Sequence, residues 1–160
     1  SASSFDELNA ELAKPLTFTD HYLIRLLAGR MKEYRPEVVA ITVPFPGNLY
    51  SALRCGEWIK VNYPEVTVVM GGGFANTELR SLTDVRFFRF TDYLLLDDGE
   101  LPLWRLFEHV TGQIGDSDLV RAFCLRGGRD YSAEGSRRTR LFRIVIRQVC
   151  FGDRDRKSDA

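Results

Sequence analysis

The segment that decides the fold is Val66-Thr67-Val68-Val69-Met70, which is followed directly by Gly71-Gly72-Gly73. A continuous apolar run of this length, rich in β-branched residues, is typical of a strand covered on both faces, as in a parallel sheet. Glycine at the strand exit removes every side chain that would hold another group away from the backbone. Because ligands of open α/β sheets bind beyond the carboxyl ends of the strands, this segment predicts a flat, backbone-lined shelf for a large ligand.

Two further segments of similar character alternate with helical ones. Residues 37–43 and 92–96 predict buried strands, and weaker strand patterns occupy 119–125 and 142–147. Helices are predicted over 3–14, 20–34, 49–62, 77–82 and 101–110, with Asp20, Asn48 and Asn76 as the N-caps of the second, third and fourth. A β-α-β-α-β order predicts an α/β fold with right-handed crossovers, so all three strand exits should face one edge of a parallel sheet.

The candidate binding residues lie in those three exits. They are Thr42, Val43 and Pro44 in the first, Gly71, Gly72, Gly73 and Phe74 in the second, and Asp98, Gly99 and Glu100 in the third. Each exit also has a structural interpretation. The glycines match neither G-x-x-x-x-G-K-[ST] nor G-x-G-x-x-G, so they are equally well explained by a tight turn. Thr42 is more simply explained as a buried residue bonded to backbone. The acidic residues of the third exit suit helix capping better than magnesium.

The composition is that of an ordinary globular domain, with 160 residues, 44% hydrophobic and 28% charged. No apolar stretch approaches the ~20 residues of a membrane-spanning helix, and the first residues lack the pattern of a secretory signal. Because no initiator Met is present, we expect the chain to begin inside a longer protein. The three cysteines, Cys55, Cys124 and Cys150, are scattered, which favours a reducing compartment and a cytoplasmic location. No Ser-His-Asp set, Cys-His pair or C-x-x-C motif is evident, so no catalytic or metal-ligating residue is predicted.

The net charge of zero conceals two oppositely charged regions. Residues 1–120 carry a net charge of −6 and residues 121–160 a net charge of +6. A basic final region is compatible with nucleic-acid contact, but a solvated or disordered tail explains the same composition more simply. The run 86–90, which mixes Arg and Phe, is likewise better explained by core packing than by stacking on bases.

Three motifs, in order along the chain, resemble one known family. They are Arg-Pro-Glu-Val-Val-Ala-Ile-Thr-Val-Pro-Phe-Pro-Gly-Asn-Leu-Tyr at 35–50, Val-Met-Gly-Gly-Gly-Phe-Ala-Asn-Thr-Glu-Leu-Arg at 69–80, and Asp-Tyr-Leu-Leu-Leu-Asp-Asp-Gly-Glu-Leu-Pro-Leu at 92–103. Together they are similar to the cobalamin-binding region of cobalamin-dependent radical S-adenosylmethionine enzymes, over residues 4–123.

The resemblance implies a Rossmann-like (flavodoxin-like) three-layer parallel sheet that holds the corrin ring and its nucleotide tail against the strand exits. Thr42 and Val43 would touch the base of the tail, and the glycines at 71–73 would let the tail pass close to the backbone. Asp98, Gly99 and Glu100 would lie on the third loop around the cofactor. The partner implied by the family is a separate barrel domain, absent from this chain, that binds S-adenosylmethionine and a 4Fe-4S cluster and carries out methyl transfer or other radical reactions.

The chain departs from the family pattern in three respects. It has no counterpart of the first two strands of the family fold, and it has no D-x-H-x-x-G motif that would supply a cobalt-ligating His. The likeness also ends near residue 125. We therefore expect a partial cobalamin-binding domain at 1–125, inactive by itself, and a basic, divergent or partly disordered segment at 126–160.

Without two neighbouring strands, the strand at 37–43 would present an unpaired edge, which predicts self-association. Pairing of the segment 141–149 with that edge is the alternative. Two other functions remain open at this point, namely a nucleotide- or flavin-binding regulatory domain and a remnant that acts only in protein interaction.

Overall fold

The computed structural model describes residues 2–81, 84–97, 99–124 and 145–146. Its helices are α1 (Ala2–Leu12), α2 (Phe18–Tyr34), α3 (Leu49–Asn62), α4 (Gly73–Thr77) and α5 (Glu100–Val110). Its strands are β1 (Val38–Thr42), β2 (Thr67–Gly71), β3 (Tyr93–Leu95), β4 (Ala122–Phe123) and β5 (Val145–Ile146). Single 3-10 turns occupy Pro46–Asn48, Leu79–Ser81, Val85–Arg89 and Asp116–Asp118.

The strands form one sheet in the order β4-β3-β2-β1-β5. The three central strands, β1, β2 and β3, are parallel, as predicted. β4 is antiparallel to β3 and only two residues long, so the prediction of a strand over 119–125 was too long. β5 runs parallel to β1 and pairs Val145 with Val39 and Ile146 with Ala40. Pairing of the late segment with β1 is therefore confirmed at two residues, and the expectation of a wholly unpaired edge was wrong.

Alternate side chains of the strands enter two separate cores, because successive residues of a strand point to opposite faces. Val68 and Met70 join the larger core with side chains from α1, α2 and α3. Val69 joins the smaller core, with Leu106 of α5. Phe87 and Phe90 are fully buried, which confirms core packing for the run 86–90. Helices thus cover both faces of a mostly parallel sheet, and the α/β class is confirmed.

None of the helices in the described parts of the chain combines the length and apolar character needed to cross a membrane.

Two of the three predicted N-caps, Asp20 and Asn76, were wrong, and the third, Asn48, occupies the N-cap position of α3 without a side-chain capping bond. Thr17 caps α2, and Asp20 is the third helical residue of the same capping box: the Thr17 backbone N–H donates to its carboxylate. Asn48 has helical backbone angles and makes no capping bond, because the 3-10 turn before α3 already continues into the helix. Asn76 lies inside α4, and its side chain is bonded to a distant loop instead.

A buried arginine joins the first three helices. Arg54 of α3 is 3% exposed. Its guanidinium donates to the backbone oxygens of Leu12 (2.6 Å) and Lys14 (3.2 Å), which are left unpaired at the end of α1. It also donates to the Tyr50 hydroxyl (3.0 Å), which in turn donates to the Asp20 carboxylate (3.1 Å). Because every donor has an acceptor, the cation is tolerated inside the helical layer.

The surroundings of Asp20 shift its titration. Burial opposes ionisation of the carboxyl, but hydrogen bonds from Thr17 and Tyr50 and the positive charge of Arg54 outweigh that effect and hold the pKa below its usual range. A carboxyl whose pKa is lower in the folded chain than in the unfolded chain stabilises the fold above its ordinary pKa. That stabilisation is lost as the pH falls through the folded-state pKa.

We predict that Asp20→Asn lowers the free energy of unfolding at neutral pH by about 2–4 kcal/mol, because it leaves the buried Arg54 cation without its buried carboxylate. The loss of stability on acidification from about pH 5 to about pH 2 should be smaller than in the wild type. Urea unfolding at several pH values measures both effects.

The matched control is Glu57→Gln, which removes a carboxylate 3.3 Å from the same guanidinium but with 38% of the side chain exposed. It should cost less than about 1 kcal/mol. Equal destabilisation by the two variants would contradict the role assigned to Asp20.

Candidate functional site

The exits of β1, β2 and β3 lie at one edge of the sheet. Thr42 pairs with Gly71, and Met70 pairs with Leu94, in parallel register. Parallel strands that are paired in this way end at the same edge, so the three exit loops are neighbours. The three segments that carry the candidate binding residues are therefore brought together, although residues 42 and 100 are far apart along the chain.

The first and second exits are joined by direct backbone contact. The Val43 N–H donates to the Gly71 carbonyl at 2.7 Å, and the Phe74 N–H donates to the Val43 carbonyl at 3.1 Å. Gly72 has φ +107° and ψ −174°, a conformation that is essentially restricted to glycine. A Cβ at Gly72 would lie 2.9 Å from the Val43 oxygen. The missing side chain of Gly72 therefore serves the packing of two loops, and a tight turn explains this glycine fully.

The other two glycines differ from Gly72. At Gly71 a Cβ would lie 3.2 Å from the Leu95 oxygen, so this position packs against the third strand. Gly73 is exposed, and a Cβ built there would lie 3.1 Å from the Pro44 oxygen. The part of the predicted shelf that is open to solvent is thus the backbone of Gly73, not the whole triplet.

The second and third exits are joined through side chains. The Asn76 amide nitrogen donates to the Asp97 carbonyl at 2.9 Å, and the Asp97 N–H donates to the Asn76 amide oxygen. Arg80 and Arg121 form ion pairs with the Asp97 carboxylate, the second at 2.9 Å. Sequence reasoning misassigned Asn76, because its partner lies 21 residues further along the chain and no local pattern indicates it.

The remaining predicted residues fall into accessible and inaccessible groups. Val43 is 1% exposed, and both of its backbone polar groups are bonded within the protein, so it can position a ligand only indirectly. Thr42 is exposed, contrary to its interpretation as a buried residue.

Of the other predicted residues, Pro44 and Phe74 are half-buried, and Glu100 is exposed. Asp98 lies outside the described residues. Phe45, which was not singled out, is 69% exposed beside the first exit.

The acidic residues of the third exit do not cap α5 with their side chains in the described part of the loop. The N-cap is Gly99, with φ +78° and no side-chain capping bond, while Glu100 lies in the first turn, where the helix dipole favours a carboxylate. Among the described residues, no group of three or more His, Cys, Asp or Glu side chains is arranged to hold a metal ion.

A cleft of about 500 Å³ lies at the opposite edge of the sheet, next to the starts of β1 and β2. Met31 and Val66 line it together with the charged residues Lys32, Arg35 and Glu65. It contains none of the candidate binding residues, and it lies at the amino ends of the strands, where open α/β sheets do not usually bind ligands.

No family model matches the chain, and no curated protein or solved structure matches it either.

We predict that Gly72→Ala destabilises the fold by about 2 kcal/mol or more, because Ala is strained at this φ and its methyl would press on the Val43 oxygen. The control is Gly29→Ala in α2, where nothing lies within 4 Å of an added Cβ. That change should stabilise the chain by about 0.5–1 kcal/mol. Chemical denaturation of both variants measures the difference, and a neutral Gly72→Ala would contradict the close approach of the two loops.

Proposed function

We propose that this chain is a cobalamin-binding module on a Rossmann-like (flavodoxin-like) sheet and that it belongs to a cobalamin-dependent radical S-adenosylmethionine enzyme. The single observation that carries the proposal is the meeting of the three motifs of the resemblance at one sheet edge. Gly72 contacts the Val43 backbone, and Asn76 contacts Asp97. Each motif thus supplies one exit loop of a continuous surface, as a cofactor that spans three strands requires.

The residues at this edge fit a large, flat ligand. The Gly73 backbone is exposed, and Gly73 has no side chain of its own that would hold a ligand away from it. Thr42 and Phe45 are exposed on the neighbouring loop. In this proposal, Phe45 packs against an apolar face of the ligand, Thr42 supplies a hydrogen bond, and the buried Val43 holds the loop in place.

Cobalamin, when bound, would supply cobalt-centred methyl or radical chemistry, and the residues of this chain would bind and orient it. The proposal gives this chain no catalytic residue. The reaction would need the barrel domain of the same family, with its S-adenosylmethionine and 4Fe-4S cluster. A cytoplasmic location is part of the same proposal, because the scattered cysteines suit a reducing compartment.

Uptake of hydroxocobalamin tests the proposal, because a bound corrin is coloured and stays with the protein through desalting. We expect the wild-type chain to leave the column with the corrin absorption bands. Gly72 is unsuitable for a blocking substitution, since a side chain there also damages the fold. Thr42→Trp adds bulk at an exposed position of the same edge and should weaken binding at least about tenfold, by sterics.

The matched control is Glu65→Trp, which places the same ring at an exposed position of the opposite edge and should leave uptake unchanged. Far-ultraviolet circular dichroism confirms that both variants are folded. A colourless wild-type protein would overturn the proposal, as would equal losses in the two variants. Binding of flavin mononucleotide in place of cobalamin would overturn it in favour of a flavin-binding domain.

A further inference from the structure

Asn76 binds both backbone polar groups of a single distant residue. Its amide nitrogen donates to the Asp97 carbonyl at 2.9 Å, and its amide oxygen accepts from the Asp97 N–H. A side-chain amide has one donor end and one acceptor end, so it can satisfy the N–H and the C=O of one residue at once, as a neighbouring strand would. These two bonds hold Asp97, at the start of the third exit, against Asn76, which lies three residues after Gly73.

Asp97 needs such a fastening. Its φ is +62°, in the left-handed region, which is unfavourable for residues other than glycine, although Asp tolerates it better than most. Arg80 and Arg121 hold its carboxylate, but their side chains are 53% and 58% exposed, and exposed ion pairs contribute little. The Asn76 amide, by contrast, bonds the Asp97 backbone itself and so holds it in this conformation.

Asn76 connects the second exit to the third, and Gly72 connects the second exit to the first. Its own N–H donates to the Gly72 carbonyl at 3.2 Å, and Gly72 contacts the backbone of the first exit. Asp97 follows Leu96, which is 4% exposed and ends the third strand's buried segment. Any movement of Asp97 relative to the glycine turn must break the two bonds of Asn76.

We infer that Asn76 is a positioning residue, which holds Asp97, at the start of the third exit, in place before the ligand arrives. The inference rests on the proposed function, because the ligand is the same cobalamin. Asn76 is half-buried at the rim and belongs to neither core. The sheet can therefore form without its amide, whereas a loop that is ordered in advance spares the ligand the free energy of ordering it.

Asn76→Ala tests the inference with two readouts. We expect the amide hydrogen of Asp97 to exchange with solvent at least about tenfold faster, because its acceptor is lost, while exchange in β1 and β2 is unchanged. The dissociation constant for hydroxocobalamin should rise about five- to tenfold. Asn76→Asp keeps an acceptor for the Asp97 N–H but loses the donor, and should show a smaller change in exchange.

The matched control is Asn62→Ala, which removes an exposed side-chain bond to the Trp58 carbonyl (2.8 Å) within α3. It should alter neither readout, and its thermal unfolding midpoint should resemble that of Asn76→Ala. Unchanged exchange at Asp97, faster exchange throughout the sheet, or an unchanged dissociation constant would each overturn the positioning role. A wild-type chain without cobalamin uptake would overturn the proposed function and the positioning role together, and exchange at Asp97 would still show whether the contact exists.

Discussion

The arrangement of the carboxyl edge depends on one steric constraint, the contact between the backbone of Gly72 and the backbone of Val43. With only 2.9 Å between the Val43 oxygen and the place of a Cβ, no other residue can occupy position 72 without moving a strand exit. The same turn starts α4 at Gly73 and so brings Asn76 to Asp97. The sequence suggested that Gly72 forms an open shelf. In the structure, Gly72 instead packs on the first exit loop and begins the turn that places Asn76 against the third.

The contacts that stabilise the fold and the residues that form the candidate site lie mostly in different parts of the molecule. The buried Arg54 cation and its acceptors tie the helical layer together on one face of the sheet. The candidate site lies at the strand ends, where Thr42 and Gly73 are exposed and can be changed without loss of core. Gly72 belongs to both parts, since it shapes the site and is required for the packing of the loops. This separation allows ligand binding and folding to be tested by different substitutions.

The strands and the common edge could be predicted from the sequence, because continuous apolar runs and their alternation with helices are strong local signals. The helix caps could not, since Thr17 and Asp20 are both capping residues and only the backbone path decides between them. Asn76 has the composition signal of a cap, yet its bonding partner is remote in sequence. Local patterns likewise could not show that a Cβ at Gly72 would meet the Val43 backbone, or that Gly73, although exposed, lies close to the Pro44 oxygen.

The most direct measurement of the central claim is a titration of the isotope-labelled chain with hydroxocobalamin, followed through its amide nitrogen–hydrogen NMR spectrum. The account predicts saturable shift changes at Thr42, Gly73 and Gly99, one residue in each exit loop. The amide resonances of residues at the opposite edge, such as Glu65 and Met31, should not shift. Changes centred on the opposite edge, or a spectrum that does not respond to cobalamin, would contradict the account.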